Sequence, residues 1–361
     1  MTAYVIAEAG VNHNGDVRLA LELIDIAADA GADVVKFQTF VPEEVISRHA
    51  PKAEYQLTTT DAGETQLDMA RKLWFPNNKF FDLAEHCRKR DITFLSTPFN
   101  LSSIDFLANE MNLETLKLPS GEITNGPFLL HAARTGCDII LSTGMATLDE
   151  IKDALSVLAF GLTKNKSLPT PENLRNCYES KIGRKALSRQ VTLLHCTTEY
   201  PTPFKAANLK AMDTIRQTFG LPVGFSDHTP GINASVAAIA RGAVVVEKHF
   251  TLDKEMDGPD HKASLSPLEL SALVNAVKEV SQSLGNGVKT PHKVELKNIP
   301  IARKSLVASR SIKKGELFSE ENLTVKRPGT GVSPMLYWKY LGTPACRDYT
   351  EDELISDNED F

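Results

Sequence analysis

The chain alternates short, near-continuous apolar runs with stretches of helical periodicity, and it does so eight times. The apolar runs are YVIAEAG (4–10), DVVKFQTF (33–40), ITFLSTPF (92–99), TLKLPSGE (115–122), DIILSTGM (138–145), VTLLHCTTEYP (191–201), VGFSDHT (223–229) and VVVEKHFTL (244–252). They are too short to stand as helices, and their lack of a polar face suits parallel strands buried on both sides. Between them the periodicity changes. ATLDEIKDALSVL opens with Thr147 and Glu150 spaced as a capping box, and SPLELSALVNAVKEVSQSL opens with Ser266, Pro267 and Glu269 in the same arrangement. Eight strand-then-helix units within residues 1–284 predict a (β/α)8 TIM barrel, an α/β fold. A doubly wound open sheet is the alternative, but AEAGVNHNG after the first strand lacks the GxGxxG turn.

Two long connections break the rhythm. Residues 41–78 follow the second strand and carry Tyr55, Gln56, Gln66 and Trp74; their place beyond a strand's C-terminal end predicts a lid. Residues 161–190, rich in Lys, Asn and Pro, predict a surface decoration. After Leu284 the composition shifts. Residues 285–298 read as a linker, and 299–361 as a small β-rich appendage with the strand-like pieces SLVASRSI and LTVKRPG.

The remaining composition narrows the class. The net charge of −6 with both signs interspersed leaves no basic stripe for nucleic acid. No apolar run reaches the ~20 residues of a membrane span, and the opening MTAYVIAEAG lacks the basic and apolar regions of a secretory signal. Five scattered cysteines without a CxxC pair read as reduced thiols. A cytoplasmic protein is expected.

Barrel chemistry gathers at strand C-termini. His228 and His249 close two consecutive strands, so two imidazoles would meet at one spot, as in an open metal site with room for substrate. Lys36 and Lys117 sit inside apolar runs, where an unpaired ammonium is costly. A shared anion, with hydroxyls from Thr97, Ser120, Ser142 and Ser226, would satisfy both; pairing with Glu8 or Glu122 as a structural network is the plainer reading.

The motifs IAEAGVNHNGD (6–16), ADVVKFQTF (32–40), APKAEYQ (50–56), FLSTPF (94–99), LKLPSGEITN (116–125), LSTGMAT (141–147), LLHCTTEYPTPF (193–204), GFSDHT (224–229), EKHFTLDKEMDGPDHKAS (247–264) and VKRPGTG (325–331) resemble the bacterial nonulosonic acid synthases. The match is collinear over nearly the whole chain except 161–190. The resemblance implies a TIM barrel joined to a C-terminal antifreeze-like (SAF) domain. It implies condensation of phosphoenolpyruvate with an open-chain N-acetylmannosamine-type sugar, with release of phosphate and a requirement for Mn2+ or Mg2+. N-acetylneuraminate synthase is the first expectation. The alternative is legionaminic acid synthase, acting on 2,4-diacetamido-2,4,6-trideoxymannose.

By motif, His228 and His249 would be metal ligands. Lys36, Thr97, Lys117, Ser120, Ser142, Thr198 and Ser226 would cradle phosphoenolpyruvate, Thr198 standing where some members have Asn. Glu8, Gln38, Tyr200 and Asp260 would hold the sugar, and Glu122 would be the acid/base, beside the catalytic Lys36 and Lys117. Arg327 would enter the sugar site of a partner subunit in a domain-swapped homodimer. Two other classes compete. A non-catalytic sugar- or ice-binding protein would have little use for buried lysines, and a Schiff-base aldolase would need one desolvated nucleophilic Lys.

Overall fold

The computed structural model describes residues 3–61 and 63–356, with Tyr55, Thr58 and Thr59 described by their backbone alone; the Tyr55 side chain expected in the lid therefore lies outside the described residues. The chain divides into two compact units, Met1–Gly285 and Asn286–Phe361.

In the first unit the apolar runs form eight parallel strands: β1 (Tyr4–Gly10), β2 (Val34–Thr39), β3 (Thr93–Pro98), β4 (Thr115–Leu118), β5 (Asp138–Ser142), β6 (Val191–Cys196), β7 (Val223–Asp227) and β8 (Val245–His249). Their order is β3-β2-β1-β8-β7-β6-β5-β4. β3 and β4 run alongside each other and close the ring, with no ladder between them among the described residues. This is a TIM-like barrel.

Side chains alternate along each strand, so successive residues face the barrel interior and the surrounding helices in turn. The outward set, including Val5, Ala7, Val35, Phe94, Leu116, Leu141, Leu193 and Phe225, joins the helices in the large core. The inward set is layered. Ile6, Leu95, Ile140, Leu194 and Val245, one from each of five strands, form a separate apolar floor. Two residues further along the same strands stand Glu8, Thr97, Ser142, Cys196 and Glu247, joined by Lys36 from β2 and Ser226 from β7, all buried. The period of two carries each strand from apolar floor to polar layer in a single step.

The helices begin where their caps dictate. Thr147 and Glu150 close a reciprocal capping box on Leu148–Leu162, and Ser266 and Glu269 do the same for Pro267–Ser283. Segment 161–190 is more regular than its composition suggests. It holds two helices, Pro171–Glu179 and Lys181–Gln190, capped by Thr170 and Ser180, with Cys177 and Leu187 buried in the core.

The second unit has its own small core of Leu306, Ala308, Ile312, Phe318, Leu323, Val332, Tyr340, Ala345, Tyr349 and Ile355. Around it an antiparallel pair, β9 (Ser305–Ala308) and β10 (Leu323–Lys326), is supplemented by isolated bridges. Within the stretch read as a linker, Lys293–Leu296 forms one helical turn, and Ile299–Ala302 forms another just beyond it.

Candidate active site

Register builds the polar layer. Glu8 lies opposite Lys36 on one side and His249 on the other, and Ser226 lies opposite Glu247. The Lys36 ammonium meets the Glu8 carboxylate at 2.5 Å and Glu247 at 3.6 Å, and donates to Thr97 Oγ1 at 2.8 Å. Lys117 Nζ lies 3.4 Å from Glu247 Oε1, and Ser226 Oγ donates to the same oxygen at 2.8 Å. Glu247 therefore links both lysines and a hydroxyl. An anion is not needed to explain the burial of these lysines, because Glu8 and Glu247 already compensate them. Glu122 is not the partner of Lys117; its carboxylate accepts from Asn125 Nδ2 at 2.6 Å, on the turn Ser120–Glu122 after β4.

The charges in this layer differ in kind. Burial alone would raise Glu247, but the ammonium groups of Lys117 and Lys36 outweigh it and hold the carboxyl well below its ordinary range. Burial pushes Glu8 up to about 7 against the pull of Lys36. Burial lowers Lys117 despite Glu247, whereas the two carboxylates overcome burial at Lys36 and raise it. Asp260, buried nearby, is pushed up to about 6 by the same desolvation.

Above this layer the two strand-end histidines come together. The His228 and His249 rings have centroids 5.7 Å apart, and the Tyr200 ring lies 4.1 Å from the first and 5.7 Å from the second. His228 Nδ1 lies 2.7 Å from the Thr197 carbonyl and so donates to it, which leaves Nε2 as the free lone pair. His249 Nδ1 is buried without a hydrogen-bond partner among the described residues. Burial drives His228 down to about 4 and His249 well below the ordinary imidazole value. Both rings are thus neutral at physiological pH, the form a metal requires. The donor set fits a divalent cation with few protein ligands, and no cluster of three or more His, Cys, Asp or Glu suited to a metal occurs among the described residues.

Two glycines make room. At Gly10, with φ of +53°, an added Cβ would sit 3.2 Å from Glu8 Oε1, 3.3 Å from His249 Cε1 and 3.4 Å from Gln38 Nε2. At Gly144 it would collide with Thr198 Oγ1 and Ser120 Oγ. Gly144 N donates to Ser120 Oγ at 2.9 Å, and Ser120 Oγ lies 3.1 Å from Cys196 Sγ. Ser142 Oγ is buried and unpartnered among the described residues, so it retains a donor for a ligand.

A cavity of about 310 Å³ adjoins His249. Gln38, Thr198, Tyr200, His249 and Asp260 line it, together with Phe40, Val45, Ile46, Gln56, Gln66, Met69, Leu73 and Phe99. Segment 41–78 thus covers this cavity, through the short helices Pro42–Val45, Glu54–Thr59 and Gln66–Leu73. Trp74 is substantially exposed and does not line it. Arg327 belongs to the second unit, exposed, with Nε donating to the Ala302 carbonyl at 3.1 Å.

Sequence reasoning missed Glu247. An acidic residue inside a buried run, two positions before His249, carries the same signal that singled out the lysines. It also passed over the polar stitching of the Asn12–Asn14 segment. Asn12 Nδ2 donates to the Phe250 carbonyl at 2.7 Å and to Ser264 Oγ at 2.9 Å, tying the end of β1 to the segment beyond β8.

Residues 23–289 match the model of the NeuB family, and residues 303–359 match the SAF domain. The chain is 53% identical to N,N'-diacetyllegionaminic acid synthase of Campylobacter jejuni, over 97% of this chain and 98% of that one. It is 41% identical to the protein of the same name in Legionella pneumophila, over 92% and 88%. Among solved structures, the N-acetylneuraminic acid synthetase of Leptospira borgpetersenii, crystallised with citrate, superposes with a TM-score of 0.67 at 33% identity, over 83% of this chain and 90% of that one. The chain belongs to the NeuB family and carries an SAF domain. Its relatives are sugar-acid synthases, and it is an enzyme of the nonulosonic acid synthase class.

Proposed function

We propose that this enzyme condenses phosphoenolpyruvate with 2,4-diacetamido-2,4,6-trideoxymannose, releasing phosphate and forming N,N'-diacetyllegionaminic acid. The observation that carries this reading is the 53% identity, end to end, with the Campylobacter protein of that name. It favours the diacetamido sugar over the N-acetylmannosamine of the first expectation.

In this reading Lys36 and Lys117 hold the phosphate and carboxylate of phosphoenolpyruvate, with Thr97, Ser120, Ser142, Thr198 and Ser226 as further donors. His228 and His249 would hold Mn2+ or Mg2+, whose chemistry when bound is Lewis-acid polarisation of an aldehyde. Glu8, Gln38, Tyr200 and Asp260 orient the open-chain sugar. C3 of phosphoenolpyruvate bonds to the aldehyde carbon, water adds at C2, and the hemiketal phosphate loses phosphate by C–O cleavage. Glu122 moves the proton between that water and the new alkoxide. The family resemblance further supports a domain-swapped homodimer in which Arg327 serves the partner's sugar site; Arg327→Ala should then raise the sugar KM more than that of phosphoenolpyruvate.

Phosphate release, followed with phosphoenolpyruvate and each sugar in turn, with and without chelator, tests the reading. Faster release with the diacetamido sugar, abolished by chelator, is expected. A higher kcat/KM with N-acetylmannosamine would overturn it.

A further inference from the structure

The cavity beside His249 has two kinds of wall. Its polar residues include Gln38, Tyr200, His249 and Asp260. Its apolar residues are drawn largely from the covering segment: Val45 and Ile46 by the first short helix, and Met69, Ala70 and Leu73 on the third. Phe40, Met69 and Leu73 also pack together with Val11 as an apolar cluster distinct from the main core.

This wall is held in place by polar links within the covering segment and to the end of β3. Arg71 Nε donates to Glu43 Oε1 at 2.8 Å, joining the third helix to the first. Asn100 Nδ2 donates to Glu44 Oε2 at 2.5 Å, and Val41 N donates to Asn100 Oδ1 at 3.2 Å, fixing the first helix to the end of β3. Lys52, its side chain almost wholly buried, donates to Thr60 Oγ1, the Asp61 carbonyl and Glu64 Oε1 at 2.9, 2.7 and 3.0 Å. The covering segment is therefore a built structure that presents Val45, Ile46, Met69, Ala70 and Leu73 to the cavity, beside the amides of Gln56 and Gln66.

We infer that this wall selects the sugar by its C6 end, with Val45, Met69 and Leu73 receiving a methyl group where a competing sugar carries a hydroxyl. The inference rests on the proposed reaction. An open-chain sugar whose aldehyde lies beside His249 must extend its far carbons away from the histidines. The aliphatic residues of the same cavity, with Gln56 and Gln66 among them, form the wall that lies there. A C6 methyl buries favourably there. A C6 hydroxyl would leave water and find no acceptor on these three side chains, apart from the weak thioether of Met69.

The magnitude of such selection is bounded. An apolar pocket cannot strongly reject a ligand that merely adds a hydroxyl, and discrimination by this route is about 10²-fold at most. The wall accordingly sets a preference, not an absolute barrier.

The test measures kcat/KM for three sugars: the diacetamido-trideoxy sugar, its 6-hydroxy counterpart, and N-acetylmannosamine. The wild-type enzyme and the separate variants Val45→Thr and Met69→Gln are compared. The expected result is a wild-type preference of roughly ten- to hundredfold for 6-deoxy over 6-hydroxy, reduced at least about fivefold in each variant. Val45 is 36% exposed and its replacement by Thr nearly preserves shape, so that variant keeps the test valid if Met69→Gln does not fold. A wild-type preference that neither folded variant reduces overturns the assignment of the wall while leaving the proposed substrate standing. A wild-type enzyme that favours N-acetylmannosamine overturns the substrate itself.

Discussion

Glu247 Oε1 lies 3.4 Å from Lys117 Nζ and accepts from Ser226 Oγ, while Glu247 Oε2 lies 3.6 Å from Lys36. One carboxylate thus joins strands β2, β4, β7 and β8 across the barrel interior. Breaking a buried pair costs more than the pair contributes, because it strands a charge away from water. Glu247→Gln should lower unfolding free energy by about 3–5 kcal/mol, read by urea denaturation at neutral pH. Lys36 retains Glu8, so the loss falls mainly on Lys117. An anion that binds Lys117 should restore part of the loss, and phosphoenolpyruvate should raise the melting temperature more in the variant than in wild type. Equal shifts would show that the ligand does not meet Lys117.

Much of this architecture is legible in the chain, for a physical reason. A strand buried on both faces needs a near-continuous apolar run, so β1 and β5 announce themselves, and the boxes at Thr147–Glu150 and Ser266–Glu269 are local chemistry that spacing alone reveals. Burial of Lys36 and Lys117 follows from the same runs. Their partners do not, because Glu247 reaches them across strands distant in sequence, and only the closed ring brings those strands together. The paired helices within 161–190 are misjudged by composition. Their caps, Thr170 before Pro171 and Ser180 before Lys181, are the local signal that outweighs the polar content.

Glu122 stands half-buried on the turn after β4, held by Asn125 Nδ2 at 2.6 Å and without an ammonium partner among the described residues. Its proposed work is proton transfer, so amide replacement should spare binding and reduce turnover. Glu122→Gln is expected to cut kcat by about 10²–10⁴, with the phosphoenolpyruvate KM changed little. Steady-state phosphate release decides it; a kcat within tenfold of wild type would remove Glu122 from the role.

The histidine pair makes a prediction that needs no turnover. His249 has a buried Nδ1 without a protein partner among the described residues, and His228 is oriented by the Thr197 carbonyl. Loss of an outer partner of a metal-bound His typically costs 10–100-fold in affinity, and loss of the ligand itself should cost more. His249→Ala should therefore bind Mn2+ at least about 100-fold more weakly than wild type in equilibrium dialysis. Unchanged Mn2+ stoichiometry and affinity would place the metal elsewhere.

His13 offers a test of stability against pH at a distance from those ligands. Its ring is 1% exposed, stacks on Phe75 at 4.0 Å, and accepts from Gly15 N through Nδ1 at 3.1 Å. Burial, helped by nearby His261, drives it from 6.5 down to about 3. The unfolded chain therefore binds this proton first as pH falls. The stabilising contribution is fully present above about 6.5 and is lost progressively between there and about 3, at about 1.4 kcal/mol per pH unit. From pH 7 to pH 5 this amounts to about 2 kcal/mol. His13→Phe keeps a ring against Phe75 but cannot titrate. Denaturation at the two pH values should show a drop smaller by about 2 kcal/mol in the variant than in wild type, whatever the variant's absolute stability. Parallel losses in both proteins would mean that His13 is protonated as readily in the folded chain as in the unfolded one, and that the Phe75 stack does not hold it neutral.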